Sequence, residues 1–301
     1  MNRLVSALFI TSSLFLIQSC SQPVTSEDTS AQTEDTNEHT KGHGNEHTAS
    51  DNSSENHHGS HNHGGTTEKS TTTQAKLTAP AEIKPNETAN LVINVQDSDG
   101  KAVADFEIFQ EKIMHLIVVS DDLQFYDHIH PDYKEDGRFE VEAIFPKPGN
   151  YTLFSDYKPS GQNEQVSVLQ AKVPGNSLTT PEVDLNRSKT FDETQVELTL
   201  SQPTLKAGEE VTVMFNLKDK AKNQAVNDLQ PYLGELGHLV IVKNSPSLTR
   251  ADYIHAHALK DTSDGQVHFV TNFPEPGKYK AWGQFNRNGK IVTADFWLDV
   301  Q

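Results

Sequence analysis

The segment Met114-His115-Leu116-Ile117-Val118-Val119 occurs a second time as Gly237-His238-Leu239-Val240-Ile241-Val242. In both copies a single histidine opens a continuous run of branched apolar residues. A short apolar run of this composition is typical of a β-strand. The repetition therefore predicts a β protein with two similar halves, in which each histidine lies at the rim of a sandwich.

Further short strands surround the first copy. Strand-like runs cover Leu91–Val95, Phe139–Ile144 and Tyr151–Phe154, and turn signals stand at Asp99-Gly100, Asp136-Gly137 and Pro148-Gly149. No stretch sustains a helical period beyond a few turns. The pattern predicts an all-β chain of two tandem Ig-like antiparallel β-sandwich domains.

A second repeated element supports the two halves. Phe145-Pro146-Lys147-Pro148-Gly149-Asn150-Tyr151 matches Phe273-Pro274-Glu275-Pro276-Gly277-Lys278-Tyr279. Pro and Gly set a tight turn here, after which the tyrosine enters the core, so we interpret the element as scaffold. The predicted organisation is a signal peptide at 1–19, a disordered histidine-rich tether at 20–76, repeat 1 at 77–175, a linker at 176–195 and repeat 2 at 196–301.

Six histidines occupy matched positions in the repeats: His115, His128 and His130 in the first, and His238, His255 and His257 in the second. Side chains two apart on a strand share a face, so each His-x-His pair can converge on one ion beside the third imidazole. Three imidazoles suit Cu(II) or Zn(II) and leave a fourth position open. Metal affinity is then expected to fall as imidazoles protonate near about pH 6–6.5.

Alternatives remain open for these histidines. Each could be a hydrogen-bonded polar residue, and duplication alone would copy all three. A site shared between the domains is a further alternative. Met114, Asp127 and Glu235 are candidate auxiliary ligands, whereas His268, the one histidine of the repeats outside the pattern, is expected to be structural.

The N-terminal segment predicts export and anchoring. An apolar stretch after Arg3 is too short to span a membrane, and Ile17-Gln18-Ser19-Cys20 resembles the lipobox of bacterial lipoproteins. That resemblance implies lipid attachment to Cys20, the only cysteine, and a location in the bacterial cell envelope, facing outside the cytoplasm. The alternative is an ordinary signal peptide with an unrelated cysteine.

The tether is poor in apolar residues, so we expect it to be disordered. Short histidine-rich tracts commonly bind metals. The tether carries seven histidines: His39, His43, His47, His57, His58, His61 and His63. We interpret them as a low-affinity collector of metal ions. The alternative is a polar tether without metal chemistry.

Charge and motifs limit the classes of function. With 42 acidic against 25 basic residues, the formal charge of −17 disfavours nucleic acid as a partner. No Gly-x-Ser-x-Gly, His-Glu-x-x-His or phosphate-loop motif is present, so we do not expect an enzyme. Calcium is also disfavoured, since EF-hand spacing of carboxylates is lacking.

The strand headed by His115, the element His128-Ile129-His130-Pro131 and the Pro-Gly turn together resemble bacterial extracytoplasmic Ig-like domains, including the YtkA-like group. The resemblance covers residues 77–173 well and 196–301 less well, where Ala258 replaces the proline. The resemblance implies the Ig-like fold, a place outside the cytoplasm and an association with copper and heavy-metal handling. With the histidines and the lipobox, it leads to our first hypothesis, a lipid-anchored protein that sequesters copper or zinc, or transfers it to a metal transporter or a metal-accepting envelope protein. The competing hypothesis is an envelope interaction module that binds a protein or polysaccharide and no specific metal.

Overall fold

The computed structural model describes residues 72–175, 180, 182–260 and 262–301. The predicted signal peptide, Cys20 and the seven tether histidines lie outside the described residues. The described residues form β-strands and one three-residue 3-10 helix, Arg250–Asp252. Within this part of the chain no helix has the length and apolar character that crossing a membrane requires.

Repeat 1 is a sandwich of two antiparallel sheets, as predicted. Its strands are β1 (Gln74–Thr78), β2 (Thr88–Gln96), β3 (Phe106–Glu107), β4 (Met114–Ser120), β5 (Tyr126–Ile129), β6 (Asp132–Tyr133), β7 (Arg138–Ile144), β8 (Gly149–Pro159) and β9 (Gln165–Val173). One sheet has the order β1-β2-β7-β6. The other has the order β9-β8-β4-β5, and β3 pairs with the end of β8.

Repeat 2 has the same architecture. Its strands are β10 (Ser188–Phe191), β11 (Thr194–Leu200), β12 (Glu210–Asp219), β13 (Gln224–Ala225), β14 (Leu229–Gln230), β15 (His238–Lys243), β16 (Tyr253–His257), β17 (Gln266–Asn272), β18 (Gly277–Arg287) and β19 (Lys290–Val300). One sheet is β10-β11-β12-β17, with β13 on β12, and the other is β19-β18-β15-β16, with β14 on β18. Strands β1 and β10 begin before the expected starts of the repeats at 77 and 196.

Alternating side chains give each repeat its own core. Leu116 and Val118 on β4 pack into the core of repeat 1, and Leu239 and Ile241 on β15 pack into that of repeat 2. Successive residues of a strand face opposite sides. The intervening apolar residues must therefore be buried elsewhere.

The repeated Pro-Gly element has the structural role that was predicted. Tyr151 and Tyr279 are buried at the start of β8 and β18. The Tyr151 hydroxyl donates to the Lys147 carbonyl at 2.8 Å and accepts from the Lys147 amide at 3.2 Å. The Tyr279 hydroxyl donates to the Glu275 carbonyl at 2.7 Å. Such a tyrosine corner is a feature of immunoglobulin-like sandwiches.

A third apolar cluster joins the two repeats, which lie within one compact unit, Gly65–Gln301. It combines residues of both outer faces: Ile117, Val119, Leu123, Phe154, Val240, Val242, Leu248, Tyr253, Trp282 and Trp297. Tyr126 stacks on Trp282 at 4.9 Å between ring centroids, and Phe154 stacks on Tyr253 at 4.7 Å. The sheets that contain β4 and β15 therefore pack against each other.

This packing corrects the expected position of the first histidine of each set. His115 shares a face of β4 with Ile117 and Val119, and His238 shares a face of β15 with Val240 and Val242. Both imidazoles are buried between the repeats, with 0% and 1% exposure, instead of lying at an open rim.

Candidate metal centre

Strand pairing brings each set of three histidines together. In repeat 1, Ile117 of β4 lies opposite His128 of β5, so His130 follows at the position opposite His115. In repeat 2, Val240 lies opposite His255, and His238 lies opposite His257. The prediction that each His-x-His pair lies beside the strand opened by the third histidine is confirmed. The 3-10 helix at Arg250–Asp252 lies within the longer loop of repeat 2.

The repeat 1 histidines are close enough to share one ion. His115 Nδ1 is 3.0 Å from His128 Nε2, and the His130 ring centroid is 5.1 Å from that of His115 and 4.7 Å from that of His128. One ring nitrogen from each lies within 4.8 Å of the others. Tetrahedral zinc, with bonds of about 2.0–2.1 Å, separates its nitrogen ligands by roughly 3.3 Å. His115 Nδ1 and His128 Nε2 are already near that separation, so an inward movement of His130 would suffice for coordination.

Burial keeps these three imidazoles neutral. It lowers the pKa of His115 to about 4 and that of His130 to about 3. It also lowers the pKa of His128 well below its ordinary value, and the neighbouring His130 and His115 act in the same direction. At neutral pH all three therefore have an unprotonated nitrogen, which is the form that binds metal.

Hydrogen bonds determine which nitrogen is unprotonated. His115 Nε2 is 3.2 Å from the Phe109 carbonyl, which can only accept, so this bond requires the proton on Nε2. His128 Nδ1 is 2.8 Å from the Gln284 amide oxygen, so that bond requires the proton on Nδ1. With the Gln284 amide oxygen towards His128, the remaining nitrogens, His115 Nδ1 and His128 Nε2, direct lone pairs at each other across 3.0 Å.

His130 adds a third donor to this pair. Its Nε2 is buried and has no hydrogen-bond partner among the described residues. Facing lone pairs and an orphaned ring nitrogen are unfavourable in a buried site unless a cation lies among them. The donor set therefore fits a borderline divalent ion such as Cu(II) or Zn(II).

The repeat 2 histidines form a looser set. His238 Nδ1 is 3.2 Å from His255 Nε2, and the His255 and His257 ring centroids are 5.5 Å apart. Burial lowers the pKa of His238 to about 2 and also lowers that of His257. His257 is nevertheless exposed on one side. Within the described residues, only the repeat 1 set has all three ligand atoms within 4.8 Å.

Asp127 and Glu235 do not belong to the group of described residues whose ligand atoms lie within 4.8 Å of one another. Met114 is buried in the repeat 1 core, on the opposite face of β4 from His115, and its sulfur accepts from the Ser155 hydroxyl at 3.3 Å. The Asp127 carboxylate accepts from the His128 backbone amide at 3.0 Å. Burial lowers the pKa of His257, and the nearby charge of Glu235 offsets a small part of that change. His268 lies on β17, in the other sheet of repeat 2.

Sequence reasoning missed Asp156 and Gln284, which contact the histidines across the repeat interface. Asp156 lies opposite His115 in the β4–β8 pairing, and Gln284 lies opposite His238 in the β15–β18 pairing. Each nevertheless bonds a histidine of the other repeat: Asp156 bonds His255 at 3.2 Å, and Gln284 bonds His128 at 2.8 Å. Asp156 shares a strand face with Phe154, and Gln284 shares one with Trp282. This alternation was the sequence signal that could have placed both residues at the interface.

Sequence comparison accounts for the duplication. A family model described as a domain of unknown function, DUF8832, matches residues 67–173 and again residues 189–301. The chain belongs to the DUF8832 family. It carries two DUF8832 domains in tandem, and no curated protein matches it.

Solved structures resemble the DUF8832 pair only distantly. Trypsin-activated alpha-2-macroglobulin from Escherichia coli is 16% identical over 76% of this chain and 16% of its own, with a TM-score of 0.25. Titin A168–A169 is 12% identical over 75% of this chain and 98% of its own, with a TM-score of 0.19. Invasin, a bacterial integrin-binding protein, is 13% identical over 76% and 40%, with a TM-score of 0.21. None of these matches shows the predicted YtkA-like relationship.

Proposed function

We propose that this DUF8832 protein binds Cu(II) or Zn(II) in the cell envelope and sequesters it or passes it to a metal transporter or metal-accepting protein. The observation that carries the proposal is the repeat 1 cluster: three neutral imidazoles, two of them buried and one partly buried, with ring nitrogens within 4.8 Å. His115 Nδ1 and His128 Nε2 are 3.0 Å apart. A divalent cation would accept a lone pair from each of them.

The cluster has one side through which an ion can exchange. His115 and His128 are buried, whereas His130 is only partly buried. A metal would therefore reach the cluster past His130 and leave by the same route.

The N-terminal segment would serve this function in two ways. A lipid on Cys20 would hold the protein at a membrane facing outside the cytoplasm. The seven tether histidines would collect ions loosely, because ordering a flexible chain around a metal opposes binding. Ions collected there would then move to the buried cluster, which is already arranged.

The alternative, an envelope interaction module, is compatible with the Ig-like sandwich fold. In that alternative the histidines would only form hydrogen bonds. It does not explain why His130 Nε2 is buried without a hydrogen-bond partner among the described residues. A direct measurement of metal binding distinguishes the two proposals.

The test uses the full chain with the seven tether histidines replaced by serine, so that only the repeats bind metal. Calorimetric titration with Zn(II) and Cu(II) should give saturable binding. His130→Ala should weaken it by roughly 10- to 100-fold or more, because loss of an outer partner alone has an effect of that size. His130 is the least buried of the three, so its removal disturbs the fold least.

His268→Ala is the matched control, because His268 lies in the other sheet of repeat 2. It should bind metal like the parent. No saturable binding in the parent would overturn the proposed function. Equal affinity in the parent and His130→Ala would overturn the repeat 1 site.

A further inference from the structure

Asp156 is a carboxylate buried between the two repeats. It is 2% exposed. Its Oδ2 accepts from His255 Nδ1 at 3.2 Å and from the Tyr253 hydroxyl at 3.4 Å, and both donors belong to repeat 2. Its Oδ1 is buried with no hydrogen-bond partner among the described residues. A buried carboxylate of this kind is unfavourable unless positive charge lies nearby.

This carboxylate determines the tautomer of His255. An ionised carboxylate only accepts, so His255 carries a proton on Nδ1, and in the neutral imidazole Nε2 then keeps its lone pair. That lone pair faces His238 Nδ1 at 3.2 Å. The same carboxylate thus fixes the ring plane, as outer carboxylates do for metal-bound histidines.

The hydrogen bonds that run from Asp156 through His255 reach His238, where one ring nitrogen has no partner among the described residues. If His238 donates from Nδ1 to His255, its Nε2 keeps a lone pair, and that atom is buried without a hydrogen-bond partner among the described residues. The Leu233 carbonyl is near enough to affect the pKa of His238, but it is outside hydrogen-bonding geometry. If the proton is on Nε2 instead, two lone pairs face each other across 3.2 Å. Either tautomer leaves a donor for a cation.

We propose that His238 and His255 of repeat 2, with Asp156 of repeat 1 as positioning residue and counter-charge, form a second divalent metal site at the repeat interface. This second site rests on the proposed function only for the class of ion that it binds. The site requires both repeats, because the carboxylate and the imidazoles come from different ones. His257, opposite His238 in the strand pairing, is the available third imidazole.

The equivalent position in the other repeat explains why the two sites should differ. Gln284 matches Asp156 in strand register and bonds His128 as Asp156 bonds His255. An amide orients an imidazole without adding charge, whereas a carboxylate also offsets the charge of a bound ion. The charge of Asp156 also reaches His115, but Asp156 bonds only His255 among the histidines, so its neutralisation should affect the His238–His255 site more strongly than the His115–His128–His130 site.

The experiment compares metal stoichiometry and affinity in full chains that lack the seven tether histidines. The parent should bind two Zn(II) ions. Asp156→Asn should weaken the ion at His238–His255 by roughly 10- to 100-fold and the other ion much less, whereas His130→Ala should weaken that other ion. Asp299→Asn is the charge-matched control, since Asp299 is exposed on β19 and pairs with Lys278 at 2.6 Å.

The outcomes separate the two proposals. Two ions with unchanged affinity in Asp156→Asn would overturn the interface site. A single ion, lost in His130→Ala and kept in Asp156→Asn, would overturn it as well and support the proposed function. A single ion with the reverse sensitivities would support the interface site and overturn the repeat 1 site. Binding of no ion would overturn both.

A second measurement is independent of whether Asp156→Asn folds. Long-range ¹H–¹⁵N spectra of the unsubstituted protein, with His255 assigned through His255→Asn, should show a proton on Nδ1 and none on Nε2. Zn(II) should then shift the Nε2 resonance of His255. A proton on Nε2 without metal, or an Nε2 resonance that ignores zinc, would overturn the proposal.

Discussion

At the residue scale, burial changes what a histidine does. Sequence alone gives each imidazole its ordinary pKa and predicts metal release near about pH 6–6.5. The interface instead lowers the pKa of His115 to about 4 and that of His130 to about 3. Protons therefore compete with a metal only at lower pH. The pH at which metal is released should accordingly lie below the value expected from the sequence.

The same shift predicts that the metal-free protein loses stability in acid. The unfolded chain protonates His115 near about pH 6.5, whereas the folded chain does so only near about 4. Stability contributed by the neutral imidazole is therefore complete above about pH 6.5 and is lost as the pH falls towards 4. For His115 alone the loss is about 3 kcal/mol. Urea unfolding at pH 7.5, 6.0 and 5.0 measures it.

His115→Asn provides the control for that titration, because an amide of similar shape does not protonate. The variant should show a shallower dependence of the unfolding free energy on pH than the parent. An equal slope in both proteins would show that His115 is not a source of the acid sensitivity.

At the element scale, the tyrosine corner shows a local sequence pattern that forms as predicted. Pro148 and Gly149 set the turn, and Tyr151 closes it through two hydrogen bonds to the Lys147 backbone. All these groups lie within a few residues of one another. Local spacing was therefore sufficient to predict the element in both repeats.

Tyr151→Phe should destabilise the protein and leave the metal sites unchanged. The substitution leaves the backbone amide and carbonyl of Lys147 without their partner, which costs about 1–3 kcal/mol. Thermal unfolding measures the loss, and zinc titration of the same variant should match the parent. An unchanged midpoint would show that the hydroxyl contributes nothing to the corner.

The histidine pairs were also predictable at this scale. Period-two alternation and a hairpin connection are enough to bring His128 beside β4 and His255 beside β15. The tether and lipid anchor remain predictions from sequence. The identity of the metal remains a prediction as well.

At the scale of the whole molecule, the two repeats share a buried apolar interface. Stacking of Tyr126 on Trp282 and of Phe154 on Tyr253 occurs at equivalent places in the two repeats. The Asp156 and Gln284 bonds across the interface follow the same pattern. The interface is thus approximately symmetric, and the histidines lie within it.

Trp282→Ala should weaken this interface more than either core. Removal of a buried tryptophan costs about 3–5 kcal/mol, and here the lost contacts join the repeats. Calorimetry should show one unfolding transition in the parent and two in the variant, with weaker zinc binding.

Leu91→Ala, in the core of repeat 1 alone, should lower the midpoint and preserve zinc affinity at temperatures where it is folded. A single transition in Trp282→Ala would contradict the role of the interface.

The sequence by itself determined the strands, the duplication, the tyrosine corners and the pairing of each His-x-His element with its neighbour, because these depend on contacts between nearby residues or on alternation along a strand. Only the tertiary structure decided that the outer faces of β4 and β15 pack together. That packing buries His115 and His238 and gives His255 a carboxylate from the other repeat. Asp156 lies 99 positions from His255 in the chain, and no local pattern relates residues so far apart.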